Sequence, residues 1–262
     1  MKKILITALF AFLIISGASA DTDGENNLSN KKSKETKDCF ESLNRATFAL
    51  NQGLDNVIFE PVAKAYRVLP SAIRTGTGNA LQNVSSLVTI PNNILQRNFK
   101  KAGVNTGRFV VNTTVGLLGI FDVATKMGFS EYEKEDYGQT FGTWGIGAGC
   151  YLVLPVIGPS TVRDTVGSFA NVLGGDPWYN ASVQGNNHYL NDSDYMVTKI
   201  LTGVDFRAKN IETIDNLKKN SLDFYASVRS LYLQDRQKKI KNTNATIEVI
   251  YDDVDWEEIE TN

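Results

Sequence analysis

Residues 137–162 read YGQTFGTWGIGAGCYLVLPVIGPSTV, 26 consecutive positions without a charged side chain. A run of that length invites a membrane-spanning helix, but Gly138, Gly142, Gly145, Gly147, Gly149 and Gly158, with Pro155 and Pro159, break it. Backbone in hydrocarbon must satisfy its own hydrogen bonds, so such a run reaches membrane depth only when packed in protein or lining a cavity. The alternative is a buried core loop in an ordinary soluble domain. Two further uncharged windows, 75–96 and 109–121, carry Asn79, Asn83, Pro91, Asn92 and Asn93 in one and Asn112, Thr113 and Thr114 in the other. Neither is a clean spanning helix of about 20 predominantly apolar residues. Together the three windows point to a large apolar face.

The N-terminus has the pattern of a secretory signal: Lys2 and Lys3, a short apolar stretch over 4–15, and Ala18-Ser19-Ala20. Cleavage is expected between Ala20 and Asp21. Residues 21–37 are polar apart from Leu28 and read as a flexible leader. A single helical domain is expected over 38–240, and an acidic, disordered tail over 241–262. The tail segment 247–262 holds seven acids and no base, whereas 21–246 carries 25 basic and 22 acidic residues. No basic stripe for nucleic acid is evident. The two cysteines, Cys39 and Cys150, match no metal spacing. In an exported chain they are compatible with a disulfide, and equally with two buried thiols.

Apolar spacing predicts mostly α structure in many short helices. A helix is expected from Asp38 and Glu41, a capping-box-like start, to about Phe59. Others are expected over 62–69, 72–87, 92–99 with Pro91 at its first turn, 101–115 with Gly116 as stop, and 117–125. Residues 130–136 read as charged loop, 138–149 as loop or weak hairpin, and 151–157 as extended. Gly158-Pro159-Ser160 reads as a turn and N-cap opening a helix to about Val172. Helices over 195–218 and 222–240 close the domain.

No catalytic constellation emerges. There is no G-x-S-x-G elbow, and the sole histidine, His188, lies in an Asn/Gly-rich loop. Gly145-Ile-Gly147-Ala-Gly149 lacks the context and Lys-Ser/Thr ending of a phosphate loop. An Asp122/Asp136 carboxylate pair matches no motif. No metal or cofactor is implied. The charges flanking the uncharged windows, Arg108, Asp122, Asp136 and Arg163, have two readings: buried ion pairs in a core, or interface residues whose guanidinium groups reach lipid phosphates. Asp164 next to Arg163 reads as helix-dipole or ion-pair stabilisation.

Several blocks in order resemble the MlaA (VacJ) family. The opening block is Asn44-Arg45-x-x-Phe48-x-x-Asn51 with Leu54-Asp55 and Pro61-Val-Ala63. Then come Asn79, Asn83 and Asn93-Ile-Leu95-Gln96. The most specific is Arg108-Phe109-x-x-Asn112-x-Thr114-x-Gly116-x-x-Gly119-x-x-Asp122-x-Ala124. It is followed by Glu135-Asp136-Tyr137-Gly138-Gln139-Thr140, Tyr151-Leu-Val-Leu154-Pro155 and Gly158-Pro159-Ser160-Thr-x-Arg163-Asp164. The likeness is dense over 38–170 and looser in the last helix.

This resemblance implies short helices arranged in a ring around a lipid channel, at the periplasmic face of a Gram-negative outer membrane. It implies a non-enzymatic phospholipid transporter that takes mislocalised lipid from the outer leaflet. Porin trimers and a periplasmic lipid carrier are its implied partners. On that reading the lipid path draws on Arg108, Phe109, Asn112, Gly116, Gly119, Gly138, Gly142, Gly145, Gly147 and Arg163. Asn44, Arg45, Phe48, Asn51, Asp122, Asp136 and Asp164 are structural, and Asn112 is equally a buried tie between helices. Many family members are lipoproteins, but no cysteine precedes Cys39, so no lipobox is expected and attachment would rest on the apolar face or a porin. Cys39 and Cys150 stand where the family pattern usually has proline, which favours a bridge. The alternative function is a structural envelope protein that binds porins without moving lipid; a lipid hydrolase is a third reading, without nucleophile or base.

Overall fold

The computed structural model describes residues 36–184 and 190–241. The signal segment with Ala20 and Asp21, most of the leader, His188 and the tail from 242 onward lie outside the described residues. The described chain belongs to one compact, mostly helical unit with one small hairpin.

Helix α1 (Glu41–Leu54) runs through a π-helical turn, Asp55–Phe59, into α2 (Glu60–Arg67). Pro61 does not end the helix. It has no N–H to give and crowds the carbonyl four residues back, and the wider π turn just ahead absorbs both defects. Asp38 is not the expected cap. Its carboxylate instead accepts from Asn44 Nδ2 (2.8 Å) and from the Tyr225 hydroxyl.

Helix α3 (Ser71–Leu95) continues through Pro91, where a break was expected. Side-chain bonds hold it there: within the helix Asn92 Nδ2 donates to the Val88 carbonyl (2.8 Å), and from other elements Thr140 Oγ1 donates to Asn92 Oδ1 (2.6 Å) and Asn105 Nδ2 to Asn93 Oδ1 (2.7 Å). Helix α4 (Phe99–Thr114) packs antiparallel on α3, capped by Asn98, whose side chain accepts from Lys101 N–H. The helix ends at Thr114, beside the expected stop at Gly116, which is not left-handed, and no helix spans 117–125. Leu117 (φ 52°), Leu118 (φ 59°) and Gly119 (φ 91°) form a left-handed turn, and only α5 (Val123–Lys126) follows, capped by Asp122. Local apolar character predicted a helix there; the close approach of Gly119 to Asn83 decides otherwise, since a Cβ at Gly119 would lie 2.4 Å from the Asn83 Cβ.

The segment expected as loop begins with α6 (Tyr137–Thr143), capped by Asp136. The hairpin follows: β1 (Tyr151–Leu154) pairs antiparallel with β2 (Gly158–Thr161), Tyr151 opposite Thr161. The expected Gly158–Ser160 turn is therefore strand, and Thr161, not Ser160, caps α7 (Val162–Ala170). Asn44 and Asn51 on α1 bond the backbone of this hairpin. Asn44 Nδ2 donates to the Tyr151 carbonyl (3.0 Å) and its Oδ1 accepts from Val153 N–H (2.9 Å). Asn51 repeats the pattern one heptad on, with the Leu154 carbonyl (2.9 Å) and Val156 N–H (2.7 Å). A disulfide joins Cys39 to Cys150 beside the same strand (Cα–Cα 5.6 Å).

An irregular turn, 171–175, leads into α8 (Pro177–Tyr179) and a π turn, Asn180–Gln184. The helix expected over 195–218 is two, α9 (Asp192–Lys209) and α10 (Ile211–Asn220), hinged at Asn210. The last is α11 (Phe224–Lys241).

Burial is inverted. Among the described residues twenty polar or charged side chains are buried against eight apolar ones, while thirty-two large apolar side chains are exposed. Apolar packing is confined to Ala63, Ala208 and Ile211 in one place and Tyr151, Val153 and Tyr225 in another. Folded domains ordinarily bury apolar side chains most often and charged ones almost never unless paired. Among the described residues no helix is long and apolar enough to cross a membrane.

Candidate functional site

The polar interior is built from the uncharged face of α3. Asn79, Asn83, Ser86, Thr89 and Asn93 recur at helical spacing and turn inward, and Asn83, Ser86, Thr89 and Asn93 are buried. Across from them, Arg108 and Asn112 sit one turn apart on α4. A small recess opens between the two helices, lined by Asn79, Asn83, Ser86, Arg108, Asn112 and Tyr132 among others. Desolvation pushes the Tyr132 hydroxyl up to about 12, while its bond to Thr89 Oγ1 (2.7 Å) favours the ionised form.

Arg108 does not reach outward. It is 4% exposed and pairs with Asp122 (2.8 Å), with further bonds to Thr125 Oγ1 (3.0 Å) and the Ser130 carbonyl (2.9 Å). Asn112 completes the group, donating to Asp122 Oδ1 (3.0 Å) and accepting from Ala124 N–H (2.9 Å). Burial alone would raise the Asp122 carboxyl; the Thr125, Asn112 and Arg108 donors overcome it and hold it below its ordinary value. Asn112 thus bridges α4 to the start of α5, and Arg108 makes a buried ion pair.

A second network lies where α6, α7 and α11 meet. Arg236 of α11 is bidentate to Asp136 (2.7 and 2.9 Å) and bonds both oxygens of Asp164 (2.9 and 3.0 Å). Tyr232 donates to Asp164 Oδ2 (2.7 Å), and Arg163, itself buried, bonds Asp164 Oδ1 (2.8 and 2.9 Å). Desolvation would raise the Asp136 carboxyl, but the hydrogen bonds and charge of Arg236 hold it far below the usual carboxylate range. Arg163, like Arg108, is therefore spent inside the protein and not at its surface. Arg236 was not singled out by the sequence, where it stands among Asp235, Gln237 and Lys238 as one more polar residue of a surface-like helix.

The glycines of the candidate path separate by environment. Gly138 is a close approach: a Cβ there would lie 2.6 Å from Asp164 Oδ1, and one at Gly167 would lie 2.3 Å from the Gly138 nitrogen. Gly142 faces Ile240, and Gly116 and Gly119 are pinned in the turn after α4. Gly145 and Gly147 face open space, and only Gly145 (φ 88°) is left-handed. Phe109 is half-buried on α4.

Large apolar side chains are exposed on several elements. Val115, Leu117, Leu118, Ile120 and Phe121 follow α4; Val156 and Ile157 form the hairpin tip; Trp144 and Ile146 follow α6. Arg45 and Phe48 of α1 hold the last helix: Arg45 is bidentate to Asp223 (2.7 and 3.2 Å), and Phe48 packs on Phe224 and Tyr225 (centroids 5.4 Å in both pairs). Among the described residues no group of His, Cys, Asp or Glu is arranged to hold a metal.

The profile of a family described as MlaA lipoprotein matches residues 36–239. A Rickettsia bellii protein of uncharacterised function is 31% identical over 242 residues, 91% of each chain. The Haemophilus influenzae intermembrane phospholipid transport system lipoprotein MlaA is 28% identical over 243 residues, 92% of this chain and 91% of its own. The Escherichia coli protein of the same description is 30% identical over 231 residues, 87% and 84%. A solved structure presented as "Structural basis for maintenance of bacterial outer membrane lipid asymmetry" superposes with a TM-score of 0.68 at 29% identity, over 78% of this chain and 99% of that one.

Proposed function

This chain belongs to the MlaA family, and from that premise we propose that it is a phospholipid-transport component of an outer membrane that works without making or breaking a bond. It takes mislocalised phospholipid from the outer leaflet and passes it to a periplasmic carrier protein, which maintains lipid asymmetry. The helices of 38–240 surround the passage, and the protein lies at the periplasmic face of the membrane. The observation that carries this reading is the inverted burial: polar side chains inside, large apolar ones outside. That distribution is costly in water, because each large apolar side chain left uncovered forgoes about 1.5–3 kcal/mol. It suits a body whose outer face meets acyl chains and whose interior takes a polar head group. Both cysteines are engaged with each other, and we assign attachment to the exposed apolar face, with a porin trimer as neighbour.

Within this assignment the turn Leu117–Leu118–Gly119 and the loop with Gly145 and Gly147 border the passage, while Arg108, Asn112 and Arg163 hold its walls in place. Membrane fractionation followed by lipid analysis of detergent-extracted protein tests the reading. Bound phospholipid is expected. Protein that carries a porin and no lipid would favour the scaffold instead, since exposed residues such as Leu173 (85%) and Ile157 (76%) suit a protein partner as well as acyl chains. Release of fatty acid would point to hydrolysis and overturn both.

A further inference from the structure

The recess between α3 and α4 holds more hydrogen-bond acceptors than donors. It measures about 10 Å³, room for one group the size of a water molecule. Arg108 is the one cation among the residues that line it. Its guanidinium is taken up by Asp122, Thr125 and the Ser130 carbonyl. Asp122 in turn accepts from Asn112, Arg108 and both the N–H and the hydroxyl of Thr125. That pair is therefore balanced in charge and matched in hydrogen bonds.

The two asparagines on the α3 side are not. Asn79 Nδ2 donates to the Ile120 carbonyl (3.1 Å), and Asn83 Nδ2 donates to Thr113 Oγ1 (2.8 Å). These bonds fix each amide nitrogen outside the recess. Among the described residues nothing donates to either side-chain carbonyl oxygen, although Asn83 is only 7% exposed. An amide oxygen has two lone pairs to offer, and inside a protein it is ordinarily hydrogen-bonded. Ser86 adds to the imbalance, because its hydroxyl spends its proton on the Gln82 carbonyl (3.2 Å). Apolar groups border the same place. The turn 117–121 is bonded to Asn79 through Ile120 and pressed against Asn83 at Gly119, and it exposes Leu117, Leu118, Ile120 and Phe121.

We infer that this recess reads the terminus of a phospholipid head group and favours one that donates hydrogen bonds, the ammonium of ethanolamine or a hydroxyl of glycerol, over the trimethylammonium of choline. A choline terminus has no N–H to give the two amide oxygens, and its three methyl groups exceed the room. A phosphate fits no better: it brings acceptors to acceptors, and the one cation is already neutralised. A site built to hydrogen-bond a ligand rejects the analogue that lacks the donor, because its own polar groups are then left unpaired. The inference rests on the transport reading and adds the choice of head group to it.

The test is a competition on the full chain in detergent. Phospholipids with identical acyl chains and ethanolamine, N-methylethanolamine, N,N-dimethylethanolamine or choline heads are offered in equal amounts, and bound lipid is counted by native mass spectrometry. Methylation removes the N–H groups one at a time and leaves the positive charge. Uptake should fall along the series, by about fivefold or more between its ends, the equivalent of one or two net hydrogen bonds. A second mixture sets phosphatidylglycerol against the choline lipid. Preference for the glycerol head with an even methylation series assigns the recess to hydroxyl donors. Asn79→Leu should bring the ethanolamine-to-choline ratio close to one with choline-lipid uptake unchanged. If that variant melts early, Gln82→Leu, an exposed position on the rim, should lower the same ratio. Even uptake in both mixtures overturns the recess as a reader and leaves the transport reading standing. A preference that survives in both variants removes it from this recess. Wild type that carries none of the lipids refutes the transport reading and this inference with it.

Discussion

Asn44 and Asn51 show how much one amide can do when it faces a strand. Each bonds one carbonyl and one N–H of the hairpin, so each replacement strands two backbone groups. Asn44→Ala should cost about 1–3 kcal/mol, read as a lower melting temperature in detergent; an unchanged melt would mean the hairpin stands without it. Arg236 carries more, because its loss leaves the half-buried Asp136 and the buried Asp164 without their main counter-ion. Arg236→Leu should cost about 3–5 kcal/mol near neutral pH. Both carboxyls have folded-state values below the ordinary one near 3.9. Their contribution is therefore present above that value and lost as pH falls through the depressed ones, so the gap between wild type and Arg236→Leu should narrow only in acid. Glu135 runs the other way. Burial holds its carboxyl above the ordinary value despite the Gln96 hydrogen bond. Its favourable contribution exists below the ordinary value near 4.3 and is lost as pH rises. Glu135→Gln should raise the melting temperature at pH 7 and leave it unchanged at pH 4; a drop at pH 7 would count against this account.

Helices α6 and α7 cross where neither has a side chain, Gly138 against Gly167. Gly167→Ala would force its Cβ to 2.3 Å from the Gly138 nitrogen, backbone that has nowhere to go. We expect misfolding or a large loss of melting temperature, whereas Gly147→Ala, with open space and no left-handed φ, should be neutral within about 0.5 kcal/mol. The same crossing explains why α6 was not legible in the sequence. Glycines at 138 and 142 lower helix propensity, and only the tertiary contact shows that they permit packing and do not break the helix. Pro91 misleads in the same way, because the bonds that hold α3 through it come from Asn105 and Thr140, far along the chain. Helices with a clear apolar stripe, such as α1 and α4, were readable to within a few residues at most ends. The turn after α4 was not, since two leucines with positive φ violate every local preference. The Arg108–Asp122 pair was half visible: the sequence marked both residues, and only the fold shows that they face each other and not the solvent.

Taken whole, the described residues bury polar side chains and leave many large apolar ones exposed. Leu117→Asp with Leu118→Asp should leave the melt in detergent nearly unchanged, as both side chains are exposed, but should weaken flotation with phospholipid vesicles. Equal flotation would remove this turn from the membrane face. With so little apolar core, covalent closure matters: the Cys39–Cys150 bridge spans 111 residues, and Cys39→Ala with Cys150→Ala should cost about 2–5 kcal/mol, seen equally when the native protein melts in reductant. The amides of Asn44 and Asn51 have a last consequence at this scale. A short β-ribbon with an oily tip, left with one bare margin, is a template onto which other chains can stack. By occupying that margin with side-chain amides and with the Lys37 carbonyl, which accepts from Tyr151 N–H (2.9 Å), the fold denies its own copies a seam to join.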